Sequence, residues 1–192
     1  LYREIEPEAE GRNSKGSSTA EFVEKNFSEG DFSDIVYVTG NPHFSGEMFE
    51  ELTGRKPQQV FHETFHTYME DWDKENGTVL PEPLIRDAKT ARKLFPEKKV
   101  VVHFMQPHYP FVNNDVFDDA GISQDLDKLS EDVSNQVWMM LAKGELSKEQ
   151  VWDAYRGNLE YVLDKVKVFA KTLEGETVIT SDHGNSMGEN SF

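Results

Sequence analysis

Cysteine is absent from the 192 residues. That excludes disulfides and thiolate metal sites, and it leaves the redox compartment open. Long apolar runs are missing too. None approaches the roughly 20 residues that a membrane-spanning helix needs, and no signal peptide is present. Basic residues are few against the acids: 20 Lys and Arg face 36 Asp and Glu, for a net charge of −16. Phosphate contacts require Lys and Arg clusters, so nucleic acid is not an expected partner, and neither is an anionic membrane surface. Dense carboxylates read first as a solvated surface and fit a halophilic source. They also repel an anionic substrate, so an anion site here needs a metal or local donors.

What is present is the composition of one folded domain, with 36% hydrophobic and 29% charged residues and 13 Phe. The chain opens at Leu1 and ends at Phe192, just past its most informative motif. Residues 1–192 are therefore read as a single partial domain of a longer protein, with localisation undetermined and the cytoplasm as the default expectation.

Residues 1–17 are polar surface. Ser18 followed by Glu21 is a capping-box pattern that starts a helix carrying Phe22, Val23 and Phe27. Asp34–Thr39 reads as a strand that runs into the loop Gly40-Asn41-Pro42. Pro81–Leu94 reads as a helix stopped by Pro96, and Lys99–Phe104 as a second buried strand. Residues 115–146 are acidic and partly helical. Ser147–Leu173 reads as a long helix with Leu159, Leu163, Val166, Phe169, Ala170 and Leu173 in one stripe, closed by Gly175. The β-branched run Thr177-Val178-Ile179-Thr180 reads as a third strand. Continuous apolar strands alternating with helices predict an α/β fold, a mostly parallel sheet sandwiched by helices.

Each of these strands ends in residues that can hold a ligand: Asn41-Pro42-His43, then His103 with Gln106 and His108, then Asp182-His183. In a parallel sheet all three ends lie at one edge, where α/β folds place their sites. A carboxylate beside an imidazole is a common pair of ligands for a divalent metal.

The run from Tyr155 to Glu189 resembles the sulfatase and alkaline phosphatase superfamily. There a long helix, with a Tyr near its start and an Asp within it, leads into a strand and a Ser-Asp-His-Gly or Ser-Asp-Asn-Gly motif. The matching residues are Tyr155, Asp164 and Thr180-Ser181-Asp182-His183-Gly184, with Gly188-Glu189 at a Gly-Glu position common in the family. Val100–Phe111 is similar to the family's preceding strand and its Pro-His-x-Pro-Phe loop, here Pro107-His108-Tyr109-Pro110-Phe111. The resemblance covers residues 95–190 well and residues 18–42 loosely.

The resemblance implies an alkaline phosphatase-like fold, incomplete because an N-terminal strand and a C-terminal part lie outside this chain. It implies metal-dependent hydrolysis or transfer of a phosphate or sulfate ester, with a small anionic ester as substrate. Asp182 and His183 match the metal ligands, for Zn, Mn, Mg or Ca. His108 matches the loop histidine that meets the anionic group, and His103 lies in the same neighbourhood. The His form of the motif tilts the expectation toward phosphate. The family nucleophile is a Ser, Thr or modified Cys at a helix start. Without Cys the modified form is closed to this chain, and Thr19 is the best match, at a helix N-terminus that favours anions. The family's Cys-x-Pro-Ser-Arg pattern is absent.

Two other readings stand beside this one. A sulfatase-like chain without a working nucleophile would serve as a binding module. Alternatively, His62-Glu63-Thr64-Phe65-His66 fits His-Glu-x-x-His, which on a helix sets two imidazoles on one face as in a zinc metalloprotease. Pro57 stands close before that motif, and no third ligand follows it. Plain structural roles also compete: Ser18 and Thr19 as helix caps, His103 as a hydrogen-bonded core residue, and His108 as a loop histidine between prolines.

Overall fold

A computed structural model describes residues 7–112, 114 and 131–185. Gly188-Glu189 and the acidic stretch 115–130 lie outside the described residues.

Helix α1 (Thr19–Phe27) begins where Ser18, in extended backbone, accepts the Glu21 N–H at 3.3 Å. The expected capping box is displaced by one residue. The Glu21 carboxylate reaches past Ser18 to the Ser17 N–H at 2.6 Å and the Ser17 hydroxyl at 2.7 Å. Strand β1 (Phe32–Thr39) follows, and Asn41 then caps a single 3-10 turn over Pro42–Phe44. Helix α2 (Gly46–Thr53) is capped by Ser45 and ends at Gly54, whose φ of 71° is left-handed. Helix α3 (Pro57–Val60) is one turn long and leads directly into β2 (Phe61–His66). Helix α4 (Pro81–Leu94) spans its predicted range and leads to β3 (Lys99–His103). Helices α5 (Glu131–Lys143) and α6 (Lys148–Ala170) complete the order. Ser147 and Gln150 form the capping box of α6, which starts where expected and ends at Ala170, short of the expected Leu173.

The three strands pair in the order β2-β1-β3, and both pairings are parallel. The central strand buries Val36, Tyr37, Val38 and Thr39 without a break, as a strand covered on both faces should. Tyr37 faces a layer rich in aromatics, with Phe27 of α1, Phe49 of α2, Phe44 and Phe61. Val36 and Val38 face the other layer, with Leu84 and Ala91 of α4 and with Val79. Helix α6 packs beside α4. With α5 it also forms a separate cluster around Tyr109 and Phe111, which draws the loop after β3 against the helices. The sheet is thus flanked by helices on both faces, as the alternating pattern implied.

Two sequence expectations are corrected. His62-Glu63-Thr64-Phe65-His66 is strand, not helix. Its helix ends at Val60, and Glu63, Thr64 and Phe65 pair with Val36, Tyr37 and Val38. On a strand, His62 and His66 stand about 13 Å apart along the chain, too far to share a metal. The run Thr177–Thr180 belongs to no strand. Val178 is 75% exposed and Ile179 45% exposed. Strand propensity is realised only against a paired neighbour, and among the described residues this run has none.

Candidate functional site

The parallel register brings the carboxyl ends of β1 and β3 level, with Thr39 opposite His103. The Gly40 N–H donates to the His103 carbonyl at 3.0 Å and extends that pairing past the strand. A side chain at Gly40 would crowd Leu84, Met105 and Val79 at 3.2–3.3 Å, so glycine permits this close approach. The N-terminus of α1 and the segment after α6 meet at the same edge. A cavity of about 1280 Å³ opens there and runs along β3, and Thr19, His43, His103, His108, Asp182 and His183 all line it.

At its centre the Thr19 hydroxyl donates to Asp182 Oδ2 at 2.7 Å, and His183 Nε2 stands 3.4 Å from the same oxygen of Thr19. Asp182 Oδ2 is also 3.8 Å from His103 Nε2 and 3.7 Å from His183 Nε2. The Asp182 backbone is held from behind: Ser14 donates its hydroxyl to the Asp182 carbonyl and accepts the Gly16 N–H at 3.2 Å. The Asp182 side chain in turn accepts the His183 N–H at 2.9 Å.

The tautomers of three imidazoles follow from their partners, because a carbonyl oxygen only accepts. His183 Nδ1 lies 2.9 Å from the Gly184 carbonyl, and His108 Nδ1 lies 2.6 Å from the Tyr109 carbonyl. His43 Nδ1 lies 2.8 Å from Asn41 Oδ1, whose identity as oxygen is fixed by the His43 backbone N–H it also accepts. When neutral, all three carry the proton on Nδ1 and a lone pair on Nε2. Burial lowers the pKa of His103, against the opposing pull of Asp182. Burial likewise lowers the pKa of His108. Both therefore favour the neutral form. The Tyr37 phenol, buried and beside Asp182, is raised well above its ordinary value and stays protonated.

Imidazoles pinned through Nδ1–H, with the lone pair on Nε2, have the preparation typical of metal ligands. Asp182 and His183 supply a carboxylate and an imidazole of the right chemistry for a divalent cation. Among the described residues no three such groups converge closely enough to enclose one. The cations on the cavity wall, Arg92, Lys98 and Lys99, are engaged elsewhere: Arg92 on the Glu174 carbonyl, Lys98 on the Ser33 carbonyl, and Lys99 on Asp34. Any anion at Thr19 therefore relies on the α1 N-terminus or a metal.

All five residues singled out from the sequence (Thr19, His103, His108, Asp182 and His183) line this one cavity. His43 joins them, as its place at the end of β1 indicated. Tyr37, Ser14, Asn158 and Asn185 were not singled out. The Asn185 amide donates to the Tyr155 hydroxyl at 3.1 Å and ties α6 to the residues after the motif. Asp164 is exposed and takes no part. His62 packs its ring on Phe95 at 4.9 Å and His66 lies by Tyr68, so neither belongs to the cavity centre.

Comparison with known proteins returns nothing: no family model, no curated protein and no solved structure matches this chain.

Proposed function

We propose that this chain forms part of a metal-dependent hydrolase or transferase acting on phosphate or sulfate esters, of the kind found in the sulfatase and alkaline phosphatase superfamily. The observation that carries the reading is the Thr19 hydroxyl, at the first position of α1, donating to Asp182 at 2.7 Å with His183 Nε2 at 3.4 Å. A nucleophile, a base to receive its proton and a helix N-terminus to receive the anion stand together.

In the proposed first step Thr19 Oγ1 bonds to phosphorus or sulfur. Its proton passes to Asp182 Oδ2, and the bond to the leaving oxygen breaks, so that an alkoxide departs and is protonated from solvent. Water then bonds to phosphorus or sulfur and loses a proton to solvent, the bond to Oγ1 breaks, Asp182 returns its proton to Oγ1, and the inorganic anion leaves with the Thr19 hydroxyl restored. Backbone N–H groups of the first α1 turn would face the transferring oxygens, and the Ser14 hydroxyl on its carbonyl and the His183 N–H on its side chain would hold Asp182 in place. A divalent cation on Asp182 and His183 would neutralise charge on those oxygens. The need for such charge is sharpened by the engaged state of Arg92, Lys98 and Lys99.

A binding module without turnover is the second reading. It is favoured by the lack, among the described residues, of a third converging ligand. One assay separates the two. The protein is given p-nitrophenyl phosphate and p-nitrophenyl sulfate with Mn²⁺ or Zn²⁺, and metal retention is measured in parallel for Asp182→Ala. Turnover that is lost in Thr19→Ala and in Asp182→Ala supports the hydrolase. Metal retention without turnover supports the module. Failure both to bind metal and to turn over either ester removes both.

A further inference from the structure

Asn158 is 1% exposed, in the middle of α6. A side-chain amide buried there is costly unless every polar atom is matched. All its partners are backbone groups of the loop that follows β3. Its Nδ2 donates toward the carbonyls of Pro107 at 3.2 Å, His108 at 3.0 Å and Pro110 at 3.3 Å. Its Oδ1 accepts the Val112 N–H at 3.1 Å, which fixes the orientation of the amide. The Tyr109 carbonyl, passed over by Asn158, takes His108 Nδ1 at 2.6 Å. From Pro107 to Pro110, every carbonyl is thus held either by Asn158 or by the His108 ring.

The loop has few ways to hold itself. Pro107 and Pro110 have no N–H to donate, and the His108 N–H is spent on the Met105 carbonyl at 3.1 Å. The donor that reaches the carbonyls of Pro107, His108 and Pro110 comes from the helix. Tyr109 and Phe111 pack into the α5–α6 cluster on either side of Pro110 and bring the loop within reach of Asn158.

We propose that Asn158 is a positioning residue for His108. By gripping the neighbouring carbonyls it leaves the Tyr109 carbonyl, among the described residues, to His108 Nδ1. The ring is thereby kept in a single tautomer, with a lone pair on Nε2 in the cavity shared with Asp182 and His183. Such a nitrogen accepts a proton or ligates a cation, and while neutral it does not donate to an anion. The role in turnover rests on the hydrolase reading; the control of the tautomer does not.

Proton–nitrogen correlation spectra of the imidazoles, with the His108 signals assigned by His108→Gln, read the tautomer without substrate. The unsubstituted protein is expected to give one His108 form with the proton on Nδ1. Asn158→Ala removes the grip entirely. Asn158→Asp keeps the shape and the Val112 bond but loses the donors. Both are expected to shift His108 toward a mixture of forms. Leu163→Ala, a buried truncation on the same helix, controls for general loosening and is expected to leave the His108 signals in place. Unchanged His108 signals in the two Asn158 variants, or the same change in Leu163→Ala, would overturn the proposal.

Kinetics give a second readout. On p-nitrophenyl phosphate, kcat/KM is expected to fall about a hundredfold in Asn158→Ala, as for a misplaced catalytic group. The fall should lie mainly in kcat, with little further loss when His108→Gln is already present. Losses that multiply in the double variant would place Asn158 outside the action of His108. A protein that turns over no ester defeats the hydrolase reading, while the spectra still decide the Asn158 proposal.

Discussion

The Tyr37 hydroxyl lies 3.1 Å from His103 Nδ1, joining the central strand to the end of β3. Burial drives the phenol pKa up and the imidazole pKa down, so both stay neutral and the link is a hydrogen bond rather than an ion pair. Tyr37→Phe keeps the ring stacked on Phe44, at 4.3 Å between centroids, and leaves a buried ring nitrogen without its partner. The expected cost is about 1–3 kcal/mol, read as a lower midpoint in urea. An unchanged midpoint would mean that His103 finds another partner at no cost.

Thr19 is tested by a pair of substitutions. Thr19→Ser keeps the hydroxyl that donates to Asp182, and Thr19→Ala removes it. Turnover of phosphate or sulfate esters should survive in the first and vanish in the second. Stability should change by about 1 kcal/mol in the alanine variant, the net value of one hydrogen bond. Equal activity in both variants would move the nucleophile elsewhere.

Gly16 is buried directly before α1. A Cβ there would fall 2.3 Å from the Phe22 backbone nitrogen and 2.8 Å from the Glu21 carbonyl carbon, and backbone cannot swing aside as a flexible side chain does. Gly16→Ala should therefore displace the Ser14–Ser17 turn from α1, at a cost of about 1–3 kcal/mol. Because Ser14 holds the Asp182 carbonyl, ester turnover should drop with it. Thermal melting and turnover measured on the same sample check both parts, and a fully active, equally stable variant would refute the clash.

His66, at the end of β2, has its pKa lowered by burial, only partly offset by Glu63. The folded chain thus refuses a proton that the unfolded chain accepts near pH 6.5. The sign follows: the His66 contribution to stability is intact above that value. It declines as pH falls through 6.5 toward the lower folded pKa. Denaturant midpoints taken from pH 8 to pH 5 should fall for the unsubstituted protein and fall less for His66→Asn. Parallel curves for the two proteins would show that His66 protonation carries no cost.

The helices were the most legible elements because their ends are chemically marked. Ser147 and Gln150 close a box at the start of α6, and prolines bracket α4. Strand β3 was legible from three consecutive valines. Strand β2 was not, since only Phe61 and Phe65 interrupt its polar residues, and its pairing with β1 was settled by the sheet rather than by its own composition. The run Thr177–Thr180 failed in the opposite way, having strand chemistry but no pairing. At the cavity, residue type and strand-end position picked out His103, His108, Asp182 and His183. Asn158 could not be seen in the same way. An asparagine within a helix reads as a solvent-facing residue until the loop that it grips is known.

Among the described residues β3 is paired on one side only. Its other edge runs beside the cavity, near the exposed Val178 and Ile179. In colloidal terms this is an adhesive seam, since an open strand edge offers a ladder to any extended chain that reaches it. The net charge of −16 works against such encounters through mutual repulsion of the molecules. That protection has a range of only about 10 Å at 0.1 M salt and about 3 Å at 1 M. Among the described residues, the excess of acidic groups and the open edge of β3 thus act in opposite directions on one solution property, and added salt, which shortens the range of the repulsion, is expected to favour self-association.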